Sequence, residues 1–205
     1  MIRVITLDRE YGSGGPAIAQ RLADRLGWAL WDERLTREIA RVTECDPAVV
    51  AGREERGDPM YYRLFKSFLR GSFEGSLQAQ RLKPVDADRI LEVTGHVVRG
   101  AGAAGSCVIV GRGSAYFLRD RADAYHVFIY APFDEKIRRE RRAGRSAAEA
   151  SQLVETVDRE RAAFIKKYFD KEWPDRQLYH LMINSELGDE RVVQTILAGI
   201  ATLEN

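Results

Sequence analysis

The chain has 205 residues, 45% hydrophobic and 31% charged, with a formal net charge of +1. That length describes one domain able to bury a core, and the near-neutral charge excludes a general nucleic-acid binder, whose footprint is strongly basic. No apolar stretch approaches a membrane span and no signal-peptide core precedes the first strand, so no membrane or nucleic-acid partner and a cytoplasmic setting are expected.

Residues 2–7, Ile-Arg-Val-Ile-Thr-Leu, are short and β-branched and predict a buried strand. Asp8-Arg9-Glu10-Tyr11-Gly12-Ser13-Gly14-Gly15-Pro16 follows, and from Ala17 onward Ile18, Leu22, Ala23 and Leu26 recur at helical spacing up to a C-cap glycine, Gly27. Strand, glycine-rich turn and helix in that order predict a phosphate-binding loop: glycines let the backbone approach a ligand, and free amides at a helix start attract anions. Pro16 fits the first helical turn, where its missing N–H costs nothing. The Walker pattern fails because no lysine follows the glycines, whereas Gly12, Gly14 and Ala17 fit the dinucleotide pattern, with Asp32 in the place of the ribose-binding acid.

Residues 28–31 predict a short second strand, and Leu35 and Ile39 a helix after it. Asp46-Pro47 is a helix start. Residues 58–85 mix aromatic with basic side chains and read best as packing, with a homodimer contact as a candidate role. Asp86 caps a helix through Ile90, Leu91, Val93, Val97 and Val98 that is expected to end in the glycine-rich stretch Gly100–Gly105. Residues 107–110, 126–130 and 180–184 predict three more strands. Cys45 and Cys107 are too isolated for a metal site or a disulfide framework and read as buried thiols. His126 is expected to be a structural residue in or beside the sheet.

From Arg112 to Arg145 there are nine Lys/Arg against five Asp/Glu, so +4 falls there in a chain of +1. The helix Phe133–Arg142 carries Arg138, Arg141 and Arg142, which with Arg145 share one face by their three- and four-residue spacings. Ser146–Glu149 is a capping box opening a long helix with Asp158, Arg159 and Arg161 on its middle turns. Residues 190–203 close the chain as an amphipathic helix. Strands alternating with helices predict a parallel sheet covered on both faces. The arginine cluster points to phosphoryl oxygens and to a lid of the kind phosphotransferases use.

This order of motifs resembles the cytidylate kinase-like family, relatives of the nucleoside monophosphate kinases. The likeness rests on residues 9–15 (Arg-Glu-Tyr-Gly-Ser-Gly-Gly), Trp31-Asp32, residues 108–113 (Val-Ile-Val-Gly-Arg-Gly), residues 127–132 with the arginines beyond, and residues 179–185. It spans nearly all of 1–205 as one domain and implies a three-layer α/β/α P-loop fold, a five-stranded parallel sheet in the order 2-3-1-4-5, and a helical lid. It further implies ATP with Mg²⁺ as donor and a nucleoside monophosphate, CMP or dCMP, as acceptor. By position, the donor phosphates fall to Arg9, Tyr11, Gly12, Ser13, Gly14, Gly15, Pro16 and Ala17. Asp32 and Arg112 fall to the acceptor, within an acceptor-side segment 33–85. Arg138 belongs to the lid region 138–162, and Arg141, Arg142, Arg159 and Arg161 to the transferring phosphoryl group; no side chain is assigned as a metal ligand.

Three departures bear on chemistry. Gly15 stands where true CMP kinases carry the loop lysine, Pro16 and Ala17 replace the magnesium-binding hydroxyl, and Arg112 is followed by Gly113-Ser114-Ala115 instead of an acid. Arg9 is the candidate to supply the missing charge from the other side of the loop. Two other readings stand beside the kinase: a nucleotide binder that has lost catalysis, and a dinucleotide-dependent oxidoreductase.

Overall fold

The computed structural model describes residues 1–42 and 87–204; the expectations for Cys45, Asp46-Pro47, the segment 58–85 and the Asp86 cap lie outside them. Five strands form one parallel sheet: β1 (Val4–Arg9), β2 (Ala29–Trp31), β3 (Cys107–Val110), β4 (Ala124–Tyr130) and β5 (Leu181–Asn184), in the order β2-β3-β1-β4-β5. The described helices are α1 (Gly15–Leu26), α2 (Glu33–Val42), α3 (Ala87–Ala104), α4 (Ser114–Phe117), α5 (Phe133–Arg142), α6 (Ala147–Phe169) and α7 (Asp189–Glu204), with a 3₁₀ turn at Ser185–Leu187.

β1 shows how the sequence builds the layers. Alternate side chains leave opposite faces of a strand. Val4 enters a core with Leu35 and Ile39 of α2, Val98 of α3 and Phe164 of α6. Ile5 and Leu7 enter the opposite core with Ile18 and Leu22 of α1 and Val192 and Ile196 of α7. Both faces are sealed, which is why the strand is apolar almost without interruption. Burying one such aliphatic side chain is worth about 1.5–3 kcal/mol. The same alternation carries Thr6 and Asp8 toward the α6 side and Arg9 toward α1.

Strand boundaries differ from the sequence reading by one or two residues, β4 for instance beginning at Ala124 instead of His126. β1 runs to Arg9 instead of Leu7, because Asp8 and Arg9 continue the ladder opposite Phe128 and Ile129 of β4. α3 ends inside the expected glycine-rich stretch, passing Gly100 and Gly102 to Ala104 and stopping at Gly105, whose φ is +73°. The capping box at Ser146–Glu149 is formed, with the Ser146 hydroxyl accepting from the Glu149 amide and the Glu149 carboxylate accepting from the Ser146 amide. His126 lies inside the sheet, 1% exposed, its Nδ1 2.7 Å from the Thr6 hydroxyl and its ring stacked on His180. Cys107 is a buried free thiol. Among the described residues no helix is long and apolar enough to cross a membrane.

Candidate active site

The turn after β1 is built around positive φ angles at Gly12 (+74°) and Gly14 (+81°), conformations in which a side chain is strained. Gly14 is the N-cap of α1 and Pro16 follows in the first turn. The amides of Gly12, Gly14, Gly15 and Ala17 have no hydrogen-bond acceptor among the described residues, as the open start of a helix requires. With the helix dipole behind them they form an anion cradle.

One wall of this cradle is supplied by α5 and α6. Lys136 packs its backbone on Gly12 and donates from Nζ to Glu10 Oε2 at 3.0 Å and to Asp158 Oδ2 at 3.4 Å. Asp158 Oδ1 in turn accepts the Tyr11 amide at 2.8 Å and Arg161 Nη1 at 3.2 Å. The Tyr11 ring sits in an apolar cluster with Val154 and Val157, and its hydroxyl donates to Glu140. Arg139 lies over Gly14, donating to Asp189, Ser185 O and Glu135. Burial raises the Asp158 carboxyl from its ordinary value, against the Arg161 and Lys136 charges that lower it.

The other wall is a cleft at the carboxyl ends of β1 and β3, lined by Asp8, Arg9, Gly111, Arg112, Gly113 and Arg161, with Ile165 and Trp173 behind. Arg112 is 3% exposed and held at φ +59° between Gly111 and Gly113, a conformation that costs about 1–3 kcal/mol in a non-glycine residue. Its Nη2 donates to Thr36 Oγ1 at 2.5 Å, while Nε and Nη1 are buried with no hydrogen-bond partner among the described residues. Burial pushes its guanidinium down to about 10, opposed by Asp32 and reinforced by Arg9. Arg161 is also pushed down to about 10, by burial and then by Arg9, and donates to Arg9 O at 2.9 Å. Asp8 accepts from the Tyr179 hydroxyl at 2.9 Å, and burial raises its carboxyl. Desolvated arginines with open donors need an anion, and a phosphoryl group offers the matching oxygens.

A sequence profile of the cytidylate kinase-like family matches residues 4–187. The chain belongs to that family. A search of curated proteins finds no match. Among solved structures, an uncharacterized protein from Eubacterium ventriosum is similar over 97% of this chain and 99% of that one, at 22% identity and a TM-score of 0.65. A shikimate kinase from Acinetobacter baumannii, solved with shikimate, matches over 98% and 94% at 17% identity and a TM-score of 0.55. A Bacteroides thetaiotaomicron shikimate kinase matches over 99% and 98% at 15% identity and a TM-score of 0.53. These likenesses are likenesses of fold.

In this family member the predicted residues separate into three groups. Gly12, Ser13, Gly14, Gly15, Pro16 and Ala17 form the cradle, with Tyr11 turned into the α6 cluster. Arg9, Arg112 and Arg161 meet at the cleft, with Asp32 close enough to hold up the Arg112 charge. Arg138, Arg141, Arg142 and Arg159 are exposed, Arg138 paired with Glu135 and Glu186. The α5 side chains that reach the loop are Lys136 and Arg139, two positions and one position off the stripe read from spacing. Asp8, Lys136, Arg139 and Tyr179 were not singled out in the sequence. The available signal was an acid ending a β-branched run and a Lys-x-x-Arg pair at helical spacing. Among the described residues no group of three His, Cys, Asp or Glu is placed to hold a metal ion. Magnesium beside a nucleotide needs only one or two carboxylates, since phosphates and water complete its shell, and Asp8 at the cleft fits that demand.

Proposed function

We propose that this protein transfers the γ-phosphoryl group of ATP–Mg²⁺ to a small phosphate-bearing acceptor, a nucleoside monophosphate of the CMP or dCMP kind. The observation that carries the reading is Arg112, a nearly fully buried guanidinium at the mouth of β3 whose Nε and Nη1 have no hydrogen-bond partner among the described residues. In this reading the amides of Gly12, Gly14, Gly15 and Ala17 hold the donor phosphates. Arg112, backed by Thr36 and Asp32, forks onto the acceptor phosphate, and Arg161 reaches the phosphoryl group in flight. Asp8 would hold the magnesium ion, which supplies charge neutralisation on the donor phosphates. Phosphoryl transfer is largely positioning and electrostatic stabilisation, so no covalent intermediate is invoked. The exposed tip around Arg141, Arg142 and Gly144 is the part of the 138–162 lid free to close, because its base is tied down through Tyr11 and Asp158.

A second reading, a nucleotide binder without turnover, is favoured by one observation: the phosphate loop carries no lysine, with Gly15 in its place. A coupled ADP-release assay with ATP–Mg²⁺ against a panel of nucleoside monophosphates and hydroxyl-bearing metabolites separates the two. The kinase reading predicts CMP- or dCMP-dependent ADP release. ATP binding with no acceptor-dependent release would favour the binder.

A further inference from the structure

Of the loop residues, Gly15 poses a separate question. Its φ lies outside the left-handed region that Gly12 and Gly14 occupy, and it is the first residue of α1. Its backbone would accept any side chain. The space would not: a Cβ on Gly15 would lie 2.6 Å from Arg9 Cγ, 3.0 Å from Arg9 Cβ and 3.3 Å from Arg9 Cδ. The direction in which a residue-15 side chain would leave the helix is filled by the stem of Arg9. Farther out, Arg9 Nη1 lies against Gly111, where a Cβ would collide with it as well. Two glycines, one on the donor loop and one on the acceptor turn, thus bracket a single arginine.

The chemistry of that arginine points the same way. Arg9 is 6% exposed, and among the described residues its guanidinium makes no hydrogen bond or ion pair. The neighbouring cations differ: Lys136 is held by Glu10 and Asp158, and Arg139 by Glu135 and Asp189. Burial raises the nearby Asp8 carboxyl more than the Arg9 charge lowers it, so the Arg9 charge is only partly matched, which is costly unless an anion completes it. Strand alternation sends Arg9 to the α1 side of the sheet, where the loop amides converge.

We infer that Arg9 is the cation of this phosphate loop, delivered from the end of β1 into the space that a lysine at position 15 takes in the Walker pattern, and that Gly15 is glycine to admit it. The inference rests on the reading that the loop holds the phosphates of ATP. It makes position 15 and position 9 alternatives for one charge.

The test is calorimetric titration of ATP–Mg²⁺ and of inorganic tripolyphosphate into the wild type and four variants, with folding checked by thermal melting. Arg9→Ala weakens both ligands about 10- to 100-fold, the range expected for a lost charged hydrogen bond. Gly15→Lys alone does not tighten binding, because Arg9 fills the space. Arg9→Ala with Gly15→Lys regains most of the lost affinity, since the space is then open. Arg9→Met with Gly15→Lys does not, because the methionine stem still obstructs it; this variant decides the matter if Arg9→Ala does not fold. Wild type that binds while Arg9→Ala binds equally well overturns the inference and leaves the phosphate loop standing. So does recovery that is the same in the alanine and methionine backgrounds. Wild type that binds neither ligand removes the donor-loop reading and this inference with it.

Discussion

Two groups of cations meet at the phosphate loop, and they are treated differently by the chain. On the α5–α6 side, Lys136 and Arg139 are matched by Glu10, Asp158, Glu135 and Asp189. At the strand ends, the Arg9 guanidinium makes no hydrogen bond or ion pair among the described residues, and Arg112 Nε and Nη1 are buried with no hydrogen-bond partner among them. The matched group ties a helix pair to a loop. The unmatched group has the electrostatics of a site that awaits a ligand. Counting arginines would rank the two sides alike; asking which charges are already spent separates them.

The largest expected effect lies on the unmatched side. Arg112→Ala should lower kcat/KM for the acceptor by two or more decades, since losing one member of a closed charged pair is worth roughly 2–5 kcal/mol. Thermal stability should hold or rise, because a strained and partly unpaired guanidinium leaves the core. A large fall in melting temperature with equal loss of ATP binding would place Arg112 with the matched group instead.

The next effect tests whether pH acts on the fold through a third polar cluster away from both walls. Burial, and then neighbouring His180, pushes His126 from 6.5 down to about 4. Between those values the unfolded chain binds a proton that the folded chain refuses, so stability is complete above about 6.5 and falls as pH drops toward 4, by about 3 kcal/mol. Asp8 and Asp158, raised by burial, work in the opposite sense. The comparison is therefore urea unfolding of wild type against His126→Gln from pH 7 to pH 4: the wild type should lose more stability. Parallel curves would mean that His126 is readily protonated in the fold.

On the matched side, Lys136→Met leaves Glu10 and Asp158 facing each other. A stability loss of about 1–3 kcal/mol is expected, discounted from a fully buried pair because both carboxylates keep some solvent. Urea denaturation with an unchanged m-value would show it. An unchanged midpoint would mean that the clamp is held by the Tyr11 cluster alone.

The smallest effect belongs to the exposed arginines. Arg141→Ala and Arg142→Ala should shift stability by no more than about 0.5 kcal/mol. Any effect should appear in kcat, as contacts that tighten while charge develops. Protease should cut near Gly144 in the free protein and more slowly with a bisubstrate analogue bound; equal cutting would contradict a closing tip.

How much of this was legible depends on which force set each feature. The strands and their order of appearance follow from apolar runs, and the loop from its glycines, because both are local. The end of β1 was not local: charge at Asp8 and Arg9 reads as a turn, yet pairing with Phe128 and Ile129 extends the ladder. On α5 the spacing grouped Arg138, Arg141 and Arg142 correctly as one face. It could not say which face turns inward, since both are charged and docking on Gly12 and Gly14 decides. The Tyr179–Asp8 contact joins residues 171 apart in sequence, and no pattern in either segment announces it. Gly15 was legible as a missing lysine, but its reason, the Arg9 stem, lies in three dimensions.

The most direct test of the contrast between spent and open charges is a titration of CMP into ¹⁵N-labelled protein, following backbone amides by NMR. Saturable shifts centred on Asp8, Gly111, Arg112, Gly113 and Arg161, abolished in Arg112→Ala, are the predicted result. Shifts confined to the exposed arginines Arg138, Arg141 and Arg142, or a pattern unchanged by Arg112→Ala, would contradict it.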